Sequence, residues 1–276
     1  MNTTYYVPTG GHPTRELTAT SRAVFTPAYA FIPRDTMQDI VASYLPHWSN
    51  TRTWVLARPM SGFAETFSHY IVEVSAEGGS EHPEPDDRAE AVLFVVGGTG
   101  IIEIGDQTHD IEAGSYVYLP PSFDWSLRSA GPNALTFHWL RKTYQRVDGI
   151  DAPEAFVTRE ADQTPIPMPV EGQSWTTTRF VDPADLRHDM HVNVVTFKPG
   201  AIIPFMETHV MEHGLYVLQG KGRYRLNRDW VDVEAGDYMW LRAFCPQACE
   251  AQGDEPFRYL LYKDVNRHMP LTPLAT

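Results

Sequence analysis

Cysteine occurs only twice in 276 residues, acidic residues outnumber basic ones 35 to 22, and no apolar run reaches membrane-spanning length. The missing run excludes a helical anchor, which needs about 20 apolar residues. The shortage of Lys and Arg leaves a net charge of −13, so the average surface repels nucleic acid and anionic membranes. No cleavable leader is found at the Met1 end, so a cytoplasmic protein is expected. A long helical period is missing as well, which removes helix bundles from consideration.

Short β-branched and aromatic runs bounded by Gly, Pro, Asn or Asp fill the chain instead, at 92–96, 101–104, 115–119, 192–197, 215–218, 223–226, 237–241 and 257–262. They predict strands and an all-β fold. Residues 36–44 allow a short helix or turn, and 183–187 a single helical turn capped by Asp182. The proline-punctuated segment 163–172 cannot sit inside a sheet and reads as a connection.

The chain also repeats itself. G-T-G-I-I-E-I through I-E-A-G-S-Y-V-Y-L, at 98–119, lies over G-K-G-R-Y-R-L through V-E-A-G-D-Y-M-W-L, at 220–241, with one offset of 122 and no gap. That makes the chain a tandem of two β modules. Residues 51–160 form the first and 161–276 the second, with 1–50 as an N-terminal extension. At 276 residues each module is long enough to bury a core, and a 42% hydrophobic share is ordinary for a globular protein.

One constellation calls for a metal. In E-T-H-V-M-E-H, Glu207, His209 and His213 occupy positions that an extended segment turns to one face, and Gln247 follows further on. Two imidazoles, a carboxylate and an amide oxygen suit a divalent cation such as Mn²⁺, Fe²⁺ or Zn²⁺. The repeat is an internal control. At the 122-residue offset the four candidates fall on Pro85, Asp87, Ala91 and Trp125, which cannot reproduce the ligand set. One metal per chain is expected, in the second module.

Strand alternation sorts the neighbours of these ligands. Tyr224 shares the inward parity of K-G-R-Y-R-L, as either a packed core tyrosine or a cavity group. Lys263 shares the parity of Tyr259 and is either a solvated strand end or a cation over the cavity mouth. At the offset, Tyr224, Tyr259 and Lys263 fall on Ile102, Phe137 and Arg141, so the hydroxyls vanish together with the ligands. Cys245 and Cys249 flank Gln247 in C-P-Q-A-C and share its face if extended. They are spaced too far for a relaxed disulfide. They read as small buried residues, with a thiolate ligand or redox switch as the alternative.

These motifs resemble the cupin superfamily. Pro199-Gly200, Glu207, His209, His213 and Gly220 match its first motif with Glu and His exchanged, and Gly236 with Gln247 matches its second with Gln for His. The swapped set is similar to the bicupin (S)-ureidoglycine aminohydrolase family. The likeness runs through H-D-M-H-V-N-V-V-T-F-K-P-G, E-T-H-V-M-E-H-G-L-Y-V-L-Q-G-K-G-R-Y and Y-L-L-Y-K-D-V-N-R. It implies two double-stranded β-helix, or jelly-roll, barrels with few short helices. It implies a Mn²⁺ enzyme of purine catabolism that takes ammonia from (S)-ureidoglycine to leave (S)-ureidoglycolate. Glu207, His209, His213 and Gln247 are then metal ligands, Glu207 and Gln247 also meet the substrate, and Tyr224, Tyr259 and Lys263 line its pocket, with Glu207, Tyr224 and Lys263 as the catalytic candidates. The expected partners are a small ureido substrate and further copies of the chain in a homo-oligomer. An Fe²⁺ dioxygenase and a non-enzymatic small-molecule-binding bicupin are the alternative classes.

Overall fold

The computed structural model describes residues 3–9, 15, 22–37, 41–42, 45–168 and 175–264. Three short strands, β1 (Val24–Phe25), β2 (Tyr29–Ile32) and β3 (Val41–Ala42), come first. The first module follows with β4 (Ser49–Ala57), β5 (Ser68–Ser80), β6 (Ala89–Gly97), β7 (Thr99–Ile104), β8 (Gln107–Glu112), β9 (Ser115–Leu119), β10 (Trp125–Ser129), β11 (Leu135–Thr143) and β12 (Phe156–Arg159). The second has β13 (Ile166–Pro167), β14 (Trp175–Thr178), β15 (Met190–Phe197), β16 (His213–Gln219), β17 (Lys221–Leu226), β18 (Asp229–Glu234), β19 (Tyr238–Leu241), β20 (Gln247–Gln252) and β21 (Phe257–Asp264). Two single-turn 3₁₀ helices, Pro59–Ser61 and Glu160–Asp162, occur among the described residues.

Seven of the eight runs read from the sequence lie wholly in strands, and the eighth, 237–241, does so from Tyr238 onward; several strands extend beyond the runs where the flanking residues are still paired. Strands such as β4, β5 and β11 have no matching expectation, because polar residues interrupt their apolar runs. In the second module, one sheet runs β1-β2-β19-β16-β21-β15-β14-β13 and faces a smaller β18-β17-β20 sheet. Val195, Phe197, Leu215 and Val217 from the large sheet pack on Leu226, Val233 and Ala251 from the small one. Each fully buried side chain of this size contributes about 1.5–3 kcal/mol.

The turn glycines follow the repeat. Gly98 and Gly220, at φ 71° and 78°, occupy equivalent turns, and a Cβ on either would lie 2.1 Å from the Ala134 carbonyl oxygen or 2.3 Å from that of Pro256. Only glycine meets both demands.

Three local expectations change. Val41–Ala42 pairs with β4 as a strand, so the helix option for 36–44 fails there. Its residues 38–40 and 43–44 lie outside the described residues. Asp182 and Asp185 each open a turn by accepting a backbone N–H two residues on, from Ala184 and Arg187, so 183–187 is two successive Asx turns and no helical turn. In the connection, Ile166–Pro167 joins β14 at the sheet edge, where a proline costs no ladder bond. Residues 169–172 of that segment are outside the described set. The N-terminal residues are engaged too: β2 pairs with β19 of the second module from Tyr29↔Leu241 to Ile32↔Tyr238.

Between the modules a third core holds side chains of both, among them Ile71, Val92 and Phe94 with Val192, Tyr216 and Leu260. Aromatic contacts cross it reciprocally. Phe67 of the first module stacks on Tyr262 of the second, with centroids 3.8 Å apart, and Phe180 of the second on Tyr116 of the first at 4.0 Å. Buried carboxylates cross it in the same way. Glu212 accepts the backbone N–H groups of Glu65 and Thr66 and the Trp240 indole N–H. At the 122-residue offset its counterpart is Glu90, which accepts from the Tyr118 hydroxyl at 2.9 Å beside the Lys142–Asp189 ion pair. Burial, followed by the adjacent Asp189, pushes Glu90 well above the usual carboxylate range.

Candidate active site

The predicted residues meet in a cavity of about 210 Å³ inside the second module. Its floor is one face of the large sheet, where the parity that carries Tyr259 and Lys263 on β21 continues to His213 on β16. Its roof is the small sheet, from which Tyr224 and Gln247 project. Glu207 and His209 enter from the loop between the two. All seven predicted site residues therefore line one space.

The loop is not the extended segment expected for E-T-H-V-M-E-H. Glu207 bridges Gln247 through a reciprocal pair of backbone hydrogen bonds, each 2.9 Å long, and the chain then bends at Val210–Met211 before β16 begins at His213. It has to bend because it leaves the small sheet and joins the large one. The Glu207–Gln247 bridge places two candidate ligands directly opposite, with side chains on the same face. The bend brings the His209 ring to within 5.0 Å of His213, centroid to centroid.

Do these donors fit a metal? Glu207 Oε2 lies 3.8 Å from His209 Nε2, and two donors about 2.1 Å from one ion can be up to about 4.2 Å apart. His213 is buried and its Nδ1 makes no hydrogen bond of ordinary geometry with a described residue. Burial first, then the charges of His209 and Lys263, push its pKa down to about 3, which keeps the imidazole neutral as a ligand must be. Gln247 Oε1 accepts from the Tyr224 hydroxyl at 2.8 Å, so the amide is held in one orientation with a second lone pair to offer. Among the described residues no three His, Cys, Asp or Glu side chains stand close enough together to hold a metal as they are placed. The Glu207–His209 spacing, the neutral His213 and the oriented Gln247 oxygen match a divalent cation in donor type.

Tyr224 and Tyr259 are both buried, and burial raises both hydroxyls well above the ordinary phenol value. They stay protonated and can donate. Lys263 is half-buried, and burial, helped by Arg179, lowers its pKa. Lys263 borders the cavity near the end of β21, and Tyr224 borders it while also packing in the module's core with its hydroxyl satisfied by Gln247. Arg179, Asn193 and Thr177 also line the space and were not anticipated, because β14 offers no turn-bounded apolar run.

Neither cysteine joins the cavity lining. Both are free thiols. Cys249 is buried opposite Tyr224, and burial holds its thiol well above the ordinary value. Cys245 precedes Pro246 outside β20, so the shared face fails at that residue. It borders a cleft of about 560 Å³ on the other side of the Glu207–His213 loop. That cleft, though larger, holds none of the candidate ligands.

In the first module the corresponding space is filled. Trp125, at the position equivalent to Gln247, packs edge-on against Trp139 with centroids 5.9 Å apart, and Trp48 closes on both. Ile102 and Phe137 stand in that core where Tyr224 and Tyr259 stand in the other, and Arg141 is ion-paired to Glu84.

Residues 193–262 match the Cupin_2 family, described as cupin domain. Over 92% of this chain, and 81% of the relative, it is 31% identical to (S)-ureidoglycine aminohydrolase of Arabidopsis thaliana. The chain belongs to the (S)-ureidoglycine aminohydrolase family. The Escherichia coli K12 member is 29% identical over 86% of this chain and 89% of its own. A Pseudomonas aeruginosa structure named for a glyoxylate-induced protein is 60% identical over 98% of this chain and 99% of that one, with a TM-score of 0.92. An oxalate decarboxylase of Bacillus subtilis, at 13% identity over 91% of this chain and 77% of that one and a TM-score of 0.59, shares the fold.

Proposed function

We propose that this chain hydrolyses (S)-ureidoglycine to (S)-ureidoglycolate and ammonia in purine catabolism. The observation that carries the reading is the end-to-end likeness to relatives of that name; the cavity supplies the groups the chemistry needs. Glu207, His209, His213 and Gln247 would hold one divalent ion, with Mn²⁺ as the proposed metal. When bound, that ion supplies Lewis acidity and a fixed positive charge.

The reaction replaces the amine on the substrate's central carbon with a hydroxyl from water. A C–O bond forms, the C–N bond breaks with its electron pair on nitrogen, and one proton of water leaves with the ammonia. Glu207 is the carboxylate in the cavity and is assigned to carry that proton. Lys263 faces the substrate carboxylate. Tyr224 holds Gln247 and, with Tyr259, presents hydroxyls to the polar substrate.

The direct test generates ureidoglycine in place from allantoate with an allantoate amidohydrolase. Faster ammonia release and accumulation of the S enantiomer of ureidoglycolate are expected, and no acceleration over the buffer rate would refute the activity. Metal content should be one equivalent per chain and vanish in the His209→Ala, His213→Ala double variant; elemental analysis giving two equivalents would contradict the filled first module. Lys263→Met should keep its metal and lose some tens to a thousandfold in kcat/KM, about 2–4 kcal/mol for one charged contact. Wild-type kinetics in that variant would remove Lys263 from substrate binding.

A further inference from the structure

The cavity floor contains groups that the hydrolytic chemistry leaves unused. β14 and β15 run antiparallel with Thr178 opposite Val194, so Arg179, one residue beyond β14, stands beside Asn193. On its other side Asn193 pairs with Leu261 of β21, between Tyr259 and Lys263. Arg179, Asn193 and Lys263 thus form one polar region of the floor, and all three line the cavity.

Each of them lacks an internal partner. Asn193 is 2% exposed, and its Oδ1 is buried with no hydrogen bond among the described residues. Buried acceptors are nearly always satisfied, and because the Asn193 side chain borders the cavity, a turn of its amide brings the oxygen to a donor entering there. Among the described residues neither Arg179 nor Lys263 is within ion-pair distance of a carboxylate, and the carboxylate lining the cavity is that of Glu207. These groups suit a ligand with an anionic end and an amide-like end.

We propose that Asn193 and Arg179 determine the specificity of this cavity: the Asn193 carboxamide pairs edge to edge with the ureido group of the substrate, and Arg179 grips its carboxylate together with Lys263. A ureido group offers an N–H and a C=O side by side, which match the oxygen and Nδ2 of a carboxamide. Guanidinium offers the forked donors that a carboxylate accepts. The amine-bearing carbon is then left between this floor and Glu207. The assignment rests on ureidoglycine being the substrate.

The test measures binding apart from turnover. Metal-loaded protein is titrated calorimetrically with (S)-ureidoglycolate and with glycolate, which keeps the carboxylate and hydroxyl but lacks the ureido group. Wild-type protein should prefer ureidoglycolate by about tenfold or more, the worth of two hydrogen bonds to an otherwise unmet group. Asn193→Leu should bring that ratio to within about twofold while glycolate affinity is kept, and Arg179→Met should weaken both ligands about equally, by about tenfold or more. The thermal midpoint of Asn193→Leu should be at or above wild type, since it removes an unmet acceptor; a structural role for Asn193 would lower it. If the leucine variant does not fold, Asn193→Ala carries the same ratio test.

A wild-type ratio in the Asn193 variant, or no preference in wild type, overturns the pairing. Unchanged affinities in Arg179→Met overturn the carboxylate role. Protein that prefers ureidoglycolate through Asn193 yet releases no ammonia from ureidoglycine would sink the hydrolase and leave the recognition floor standing. An active enzyme with an unchanged ratio in the variant would sink the recognition floor alone.

Discussion

Glu207→Gln is expected to bind about one equivalent of the proposed Mn²⁺ per chain and to turn over ureidoglycine about 10² to 10⁴ times more slowly than wild type, the usual worth of a positioned acid–base group. The amide keeps an oxygen donor and nearly the same shape, and the backbone bridge from Glu207 to Gln247 does not involve the side chain. What it cannot do at neutral pH is accept a proton and return it. A role limited to ligation gives a different result: activity follows metal occupancy, and saturating Mn²⁺ restores most of it. Restoration by added metal sinks the proton-carrier role and moves it to Tyr224 or Lys263. Parallel measurement of metal content and kcat on the same preparation separates the two cases.

Glu212→Ala loses about 3–5 kcal/mol of stability. Its carboxylate joins the modules: Glu65 and Thr66 donate from the first, Trp240 from the second. Truncation removes the acceptor of four donors; the Thr66 hydroxyl keeps its contact with Tyr262, and the other three are left unmet at about 1–3 kcal/mol each where buried, with part recovered because the adjoining cleft admits water. Urea unfolding checks the size, with Glu212→Gln as a control that keeps one acceptor oxygen and falls between. Glu212 directly precedes His213, so metal affinity should fall as well. A stability loss under about 1 kcal/mol in Glu212→Ala would show that the inter-module apolar core holds the two halves without the carboxylate.

Glu212 also illustrates a signal available in the sequence and not used. The offset that isolates Glu207 and His213 as features of one module pairs Glu212 with Glu90, and a carboxylate kept at both positions belongs to what the modules share. What they share is the contact between them. Asn193 and Arg179 gave no comparable signal. Asn193 sits inside an apolar run and Arg179 beyond an unrecognised strand, so only the pairing of β14 with β15 sets them side by side.

The sequence by itself determined the all-β class, the tandem repeat and the seven residues of the candidate site, because each depends on short-range physics. Alternation assigns Tyr224, Tyr259 and Lys263 to an inner face, and the repeat singles out the candidate ligands that only one module carries. The tertiary structure alone decided that residues 29–32 complete the sheet of the second module, that Cys245 turns to the neighbouring cleft, and that Glu207–His213 bends between two sheets. Those outcomes depend on which distant strands pair, and on where a loop must cross from one sheet to another. Pairing energy comes from partners up to two hundred residues away in sequence, as between Tyr29 and Leu241, and a local pattern of apolar and polar side chains does not name the partner.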